Sequence, residues 1–367
     1  MPRVSPSLVR RAQNISPYAA TLLPACRDLP SALTELRWIR EHVQSTPSLI
    51  PPKLRLRQLC EKRGKGIPLQ YVMGTQPFGR LDIRCRPGVL IPRPEPEAYT
   101  TYLAHLIKTG YFAAQLKDCK TQGLRITDFC SGTGCIALLL YALLHPPTFP
   151  SLHVRGVDIS PRAVALSRDN ARHNVARGLM PGPSSSGGPD QTSTIRFDLG
   201  DVFFDSATVV DGDRDRWRRR CDVMVSNPPY VSAAGFARDT ARSVRNHEPA
   251  LAQVPGPRPY PGDGEGYPED VFYARLLEVA GAMGPPPGIM LFEVGGSAQA
   301  RRVAAMAMAG RHAYLAGYVV EIWRDWPDAV PEAGEAGSVT VGGEEVVVRG
   351  SGHERSVLMY KKAEHVM

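Results

Sequence analysis

The 367-residue sequence predicts an α/β protein with a parallel sheet, preceded by a small helical unit and a β-hairpin connector. Three observations carry this. From Pro92 onward, short apolar strand-like runs alternate with helix-like ones, the order that winds into a parallel sheet. Between residues 30 and 72, apolar residues recur at helical spacing instead. Between these two regions, residues 76–92 alternate and turn as a hairpin does.

Taken in chain order, residues 1–28 hold Arg3, Arg10, Arg11 and Arg27, several serines, and no acidic side chain before Asp28. That composition reads as an organellar transit peptide; the rival reading is a ragged N-terminus in which helical segments start early. Residues 29–75 read as a helical domain. Leu33, Leu36, Ile39 and Val43 share one face, Ser31 and Thr34 give half a capping box, and a second helix runs from Pro52 to Arg63 with Leu54, Leu56 and Leu59. Residues 76–92 form the connector, with Pro87-Gly88 between two short apolar stretches. Residues 93–367 make the second domain, opening on Pro94 at a helix start with Glu95 and Glu97 in its first turn. Seven strand candidates follow: Arg125–Phe129, His153–Asp158, Ile195–Leu199, Asp222–Ser226, Gly288–Glu293, Tyr318–Arg324 and Ser356–Lys361. Helical patterns such as Cys135–Leu144 and Pro161–Val175 separate them. Two loop insertions are expected, a low-complexity one near 180–194 and a Gly/Glu/Val-rich one at 327–353.

Composition bounds the function. With 43% hydrophobic and 22% charged residues the chain reads as globular. Its longest apolar run, Ile136–Leu144, is nine residues where a bilayer span needs roughly 20, so no membrane role is expected. The net charge of +8 admits an acidic partner such as RNA, or simply a solvated basic surface. The nearest thing to a basic stripe, Trp217-Arg218-Arg219-Arg220, lies just before a strand, and no dense stripe with interleaved aromatics marks a nucleic-acid face. Direct nucleic-acid binding is therefore not expected. The seven cysteines are scattered with no Cys-x-x-Cys spacing, which suggests neither a disulfide framework nor a zinc site.

Chemistry concentrates at three strand ends. Asp128-Phe129-Cys130-Ser131-Gly132-Thr133-Gly134 closes an apolar strand before a helix, where glycine lets the backbone turn tightly and approach a ligand. Asp158 closes the next strand, 24 residues beyond Gly134, where a carboxylate can accept from both ribose hydroxyls of a nucleoside. A dinucleotide enzyme could use the same two features, although Ala137 stands in place of the last glycine of its pattern. The third feature discriminates. Asn227-Pro228-Pro229-Tyr230 directly follows the strand Asp222–Ser226. Two prolines stiffen the turn and remove two N–H groups. The Asn227 side-chain oxygen and the Pro228 carbonyl remain as a pair of acceptors suited to one NH₂ group, and Tyr230 offers a flat face for packing a substrate.

These motifs resemble the HemK/PrmC family of protein-(glutamine N5) methyltransferases, from about Leu29 to the C-terminus. The most discriminating stretch is Gly74-Thr-Gln-Pro77-Phe78 followed by Val89-Leu90-Ile91-Pro92-Arg93-Pro94-Glu95-Pro96-Glu97, in which Pro96 replaces the family's threonine. Glu248-Pro-Ala-Leu251 and Gly262-Asp-Gly264 are also similar to family segments. The resemblance implies a Rossmann-like, seven-stranded class I methyltransferase domain with S-adenosyl-L-methionine as cofactor. It places Asp128 and the stretch Cys130 to Gly134 against the methionine end of that cofactor and Asp158 on its ribose. Asp201 and Val202 would hold the adenine, although relatives commonly carry an aromatic residue at the second position. Asn227 to Tyr230 would hold the acceptor amide.

The implied reaction is methyl transfer to the glutamine amide in the Gly-Gly-Gln segment of a peptide chain release factor, in the mitochondrion if the N-terminus is a transit peptide and otherwise in the cytoplasm. An amide nitrogen is a weak nucleophile because its lone pair is delocalised, so catalysis would be positioning with electrostatic help. No general base is read beside the motif, and no metal is implied. The alternative is a nucleic-acid amino-methyltransferase acting on the exocyclic amine of adenine or guanine, which the basic charge favours and the Ile91–Glu95 stretch opposes. A third reading, a binding protein that keeps the fold as a scaffold, has no need of Gly132, Gly134, Asp158 and Asn227 together.

Overall fold

The computed structural model describes residues 4–146, 148–182, 193–204, 220–258, 260 and 266–363. It opens with four helices, α1 (Pro6–Ile15), α2 (Pro17–Cys26), α3 (Leu29–Ser45) and α4 (Pro52–Gly64). The stretch expected as a leader is thus part of the fold. Ser5 and Ser16 each accept a hydrogen bond from the first turn that follows, with proline as the first helical residue, so both helices start where side chain and ring favour it. Ala12, Ala19, Leu22 and Leu23 are fully buried in one core with Leu36, Ile39 and Cys60 of α3 and α4. The helical unit therefore begins at residue 6 rather than 29. Helix α3 also starts earlier than the half capping box suggested, because Asp28 caps it by accepting from the Ser31 N–H at 2.8 Å.

A short helix α5 (Leu69–Met73) leads into the connector, β1 (Thr75–Phe78) paired antiparallel with β2 (Leu81–Arg84). The hairpin turns at Gly79 (φ 56°), not at Pro87-Gly88, which lies beyond it. Asn170 and Asn174, both buried, receive the Arg84 and Asp82 N–H groups and tie the hairpin to the main domain.

That domain begins with α6 (Pro94–Lys108), which carries Glu95 and Glu97 in its first turn as expected. The strands are β3 (Leu124–Phe129), β4 (Leu152–Asp158), β5 (Ser193–Leu199), β6 (Val223–Ser226), β7 (Ile289–Glu293), β8 (Tyr318–Trp326), β9 (Ser338–Val341), β10 (Glu344–Arg349) and β11 (Ser351–Lys361). They form one nine-stranded sheet in the order β5-β4-β3-β6-β7-β11-β8-β10-β9. All seven expected strands are present. The sheet is mixed rather than wholly parallel, because β11 runs antiparallel between β7 and β8. The insertion at 327–353 is not a plain loop but supplies β9 and β10. Gly342 and Gly343, both at positive φ, make the two-residue turn that joins them, and Val341, Val346 and Val348 are buried beneath.

Strand alternation feeds two cores. Three short helices, α7 (Cys119–Gln122), α10 (Ala233–Asp239) and α11 (Arg242–His247), sit among longer ones. Val223 and Val225 face the core shared with α6, α8 (Cys135–Leu144) and α9 (Pro161–Ala176), while Met224 faces the opposite core with α12 (Val271–Ala282) and α13 (Ser297–Met308). The carboxyl ends of β3, β4 and β6 lie side by side, since Phe129 is level with both Val157 and Ser226. The three predicted motifs therefore meet at one edge. Gly262-Asp-Gly264, Trp217–Arg219 and most of the 180–194 insertion lie outside the described residues.

Candidate active site

The loop after β3 is built from its hydrogen bonds. The Ser131 N–H donates to the Val157 carbonyl at 3.0 Å, and the Gly134 N–H to the Ser131 carbonyl at 2.8 Å. This tight return puts Cys130 (φ 59°), Gly132 (φ 56°) and Gly134 (φ 78°) in the left-handed region, which a non-glycine residue enters only at a cost. The two glycines do different work. A Cβ on Gly134 would come within 2.8 Å of Phe197 and Ser167, whereas one on Gly132 would meet nothing within 4 Å. Gly134 lets the loop pack against the sheet, and Gly132 keeps a space open.

That space is part of an open cleft of about 900 Å³. Cys130, Gly132, Asp158, Asp201, Val202, Asn227 and Pro229 all line it. Six predicted residues do not: Asp128, Ser131, Thr133, Gly134, Pro228 and Tyr230 lie behind or beside it. Asp158 accepts from the Gly132 N–H and the Ser160 N–H, both at 2.8 Å, one on each carboxylate oxygen. Burial raises its pKa against the lowering effect of those two N–H groups. Asp201 accepts from the Phe203 N–H at 3.0 Å and pairs with Arg258 at 2.9 Å, and Arg258 itself stands over the Phe203 ring. Phe272 of α12 lines the cleft beside Val202, an aromatic wall supplied from another element.

The residues fit a nucleoside cofactor. Asp158 keeps spare lone pairs toward the cleft, and Gly132 leaves the room. Asp128 is fully buried; burial pushes its pKa well above the usual carboxylate range, against the lowering effect of the Ala137 N–H at the start of α8. The Ser131 hydroxyl is buried without a partner.

The acceptor turn is braced at both ends. Ser226 donates its hydroxyl to the Phe129 carbonyl at 2.9 Å, which locks the turn to the glycine loop. Tyr230 donates its hydroxyl to Glu293 Oε1 at 2.9 Å, and its ring lies against Gly295. The Tyr230 hydroxyl thus points into the protein rather than into the cleft. Glu293, buried at the end of β7, also accepts from the Tyr99 hydroxyl at 2.9 Å. Its pKa is pushed up to about 7, chiefly by burial. In the sequence the only signal of Glu293 is an acidic residue ending an apolar strand. Glu248 gives no local signal of its role either: it is buried and accepts from the Ile91 N–H at 3.0 Å and from Arg93 at 2.8 Å. This bond joins the Val89–Glu97 stretch to the loop whose Pro249 and Leu251 line the cleft. The helical unit reaches the cleft too, for Tyr71 of α5 donates to the carbonyl of the cleft-lining Val89 at 2.7 Å.

A doubly wound sheet with its last strand antiparallel, and an open cleft at the carboxyl ends of its strands, define a class I methyltransferase fold. No protein-family model matches the chain. It is similar to the mitochondrial MRF1 N(5)-glutamine methyltransferase of Saccharomyces cerevisiae, at 35% identity over 254 residues, 69% of this chain and 68% of that one. A probable MRF1 mitochondrial N(5)-glutamine methyltransferase of Schizosaccharomyces pombe is 28% identical, over 83% of this chain and 89% of its own. The release factor glutamine methyltransferase of Pasteurella multocida is 31% identical, over 66% of this chain and 68% of its own. Among solved structures, the hMettl16 catalytic domain covers 91% of this chain at 13% identity, with a TM-score of 0.40. The chain belongs to the family of release factor N(5)-glutamine methyltransferases.

Proposed function

We propose that this protein transfers a methyl group from S-adenosyl-L-methionine to the side-chain amide nitrogen of the glutamine in the Gly-Gly-Gln segment of a mitochondrial peptide chain release factor. The observation that carries the reading is the meeting of Asn227 and Pro229 with Gly132 and Asp158 in one cleft. The names of the two yeast relatives support both the substrate and the compartment. Bound S-adenosyl-L-methionine supplies a methyl group activated by its sulfonium. The chain's own residues supply position. Asp158 accepts from the ribose hydroxyls, Asp201, Val202 and Phe272 flank the base, and Cys130 and Gly132 line the methionine end, with Asp128, Ser131, Thr133 and Gly134 shaping the loop behind them. The Asn227 oxygen and the Pro228 carbonyl accept from the two amide hydrogens and hold the nitrogen lone pair in line. Pro229 walls the acceptor side, and Tyr230 anchors the turn.

The helical unit and hairpin, which carry the chain from residue 6 to 92, frame a protein loop rather than a nucleic-acid strand. An import signal in residues 1–28 would be retained, since α1 and α2 belong to the folded core. The test is to incubate release factor, DNA and RNA oligonucleotides separately with protein and labelled cofactor. Label on release factor alone is expected. Label on an oligonucleotide, with the release factor untouched, would move the assignment to a nucleic-acid amino-methyltransferase.

A further inference from the structure

We propose that Glu293 is a positioning residue for methyl transfer: by accepting from Tyr99 and Tyr230 together, its carboxylate clamps the Asn227–Tyr230 turn and sets where Asn227 stands. The proposal rests on the reading that this turn holds the acceptor nitrogen. Tyr230 closes the turn, and its hydroxyl reaches Oε1 at 2.9 Å while the Tyr99 hydroxyl of α6 reaches Oε2 at 2.9 Å. Below them, the Tyr273 hydroxyl of α12 donates to the Glu293 main-chain carbonyl at 2.7 Å, fixing the strand end from the other core. The backbone of Tyr230 is held as well, by Gln299, whose amide donates to its carbonyl at 3.3 Å and to Asp270 at 2.8 Å. The Glu293 side chain thus joins the end of β7 to α6 and to the acceptor turn.

The clamp depends on charge state. An ionised carboxylate accepts from both phenols at once, each bond charge-assisted. A protonated one must donate its own proton to one phenol oxygen, which leaves that phenol's hydrogen without an acceptor in a buried place. The groups facing Glu293 are Tyr99 and Glu95 of α6, Tyr230 of the turn, Tyr273 of α12 and Arg355 of β11. Asp128 and Cys135 stand near Tyr99. Burial and Glu95 favour the protonated form, while Arg355 and the two phenols favour the ionised one. The balance falls at about 7, within a working pH range.

The experiment compares wild type, Glu293→Gln and Tyr230→Phe in release-factor methylation across pH, with S-adenosyl-L-methionine affinity measured separately by titration. Wild-type kcat is expected to fall as pH drops through about 7. Glu293→Gln is expected to lower kcat roughly 10- to 100-fold on the alkaline side, to flatten the acid limb, and to leave cofactor affinity within about twofold. Tyr230→Phe, which keeps the ring, should act in the same direction, and the double variant should be little worse than the poorer single one. The phenylalanine variant carries the test if Glu293→Gln fails to fold. Wild-type kcat and pH profile in both variants would overturn the proposal, and so would a parallel loss of cofactor affinity, the mark of a merely structural role. A wild-type protein that labels no release factor at all overturns the functional reading and this proposal with it; wild-type labelling with unaltered variants overturns this proposal alone.

Discussion

Single residues at the cleft divide into those proposed to meet the cofactor and those that hold the loop, and substitutions should separate them. Asp158→Ala removes the acceptor of the Gly132 and Ser160 N–H groups and, at the same stroke, the proposed acceptor for ribose. It should weaken cofactor binding by about 1.5–3 kcal/mol, and calorimetric titration showing an unchanged affinity would contradict the assignment. Gly132→Ala and Gly134→Ala both force a side chain into positive φ, yet their surroundings differ. The methyl on Gly132 enters the open cleft, so affinity should fall while the melting temperature drops little. The methyl on Gly134 strikes Phe197 and Ser167, so the melting temperature should drop first. Thermal melts beside titrations read the contrast, and equal behaviour of the two variants would refute it. Gly132, Asp158 and Asn227 were legible in the sequence because strand ends and turn-forming residues announce themselves locally. Glu293 and Glu248 were not, because their partners lie as far away as Tyr99 and Ile91, and pairing across that distance exists only in the folded chain.

At the level of elements, the sheet was readable and its margins were less so. Apolar runs of four to eight residues marked all seven principal strands, and only their ends moved. The hairpin turn was misplaced because Pro87-Gly88 is the stronger local turn signal, whereas Gly79 is fixed by pairing of β1 with β2. The Gly342-Gly343 dipeptide between valine-rich runs was a usable hairpin signal that a high glycine content hid. The largest difference is at the N-terminus, where arginines without acids outweighed two Ser-Pro helix starts, at Ser5-Pro6 and Ser16-Pro17. Leu22 and Leu23 are fully buried against α3 and α4. Leu22→Ala should therefore cost about 2–5 kcal/mol, and deletion of residues 1–27 should strip the bundle of four of its thirteen buried core residues and lower solubility and melting temperature. A truncated protein as stable and active as the full chain would show that α1 and α2 are dispensable.

For the molecule as a whole, Glu293 sets stability and activity against each other along the pH axis. Its folded pKa of about 7 exceeds its ordinary value of 4.5, so between these values the folded state holds the proton more tightly than the unfolded state. Its contribution to stability is greatest below 4.5 and is lost as pH rises through about 7, while the ionised form is the one that clamps both phenols. The stability cost of Glu293→Gln should shrink as pH rises across that window; urea melts that show a constant or growing cost would contradict the sign. Compartment is tested in the same whole-chain terms. Protein recovered from mitochondria should still contain residues 6–26, and a mature form beginning at residue 28 would mean that the buried helices are discarded. The central claim is methylation of an amide, and the most direct measurement is mass spectrometry of release factor treated with the protein and isotopically labelled S-adenosyl-L-methionine. One methyl group is predicted on the side-chain nitrogen of the Gly-Gly-Gln glutamine, absent when that glutamine is replaced by glutamate and nearly absent with the Asn227→Ala protein. An unmodified glutamine, or label that survives its replacement by glutamate, would contradict the account.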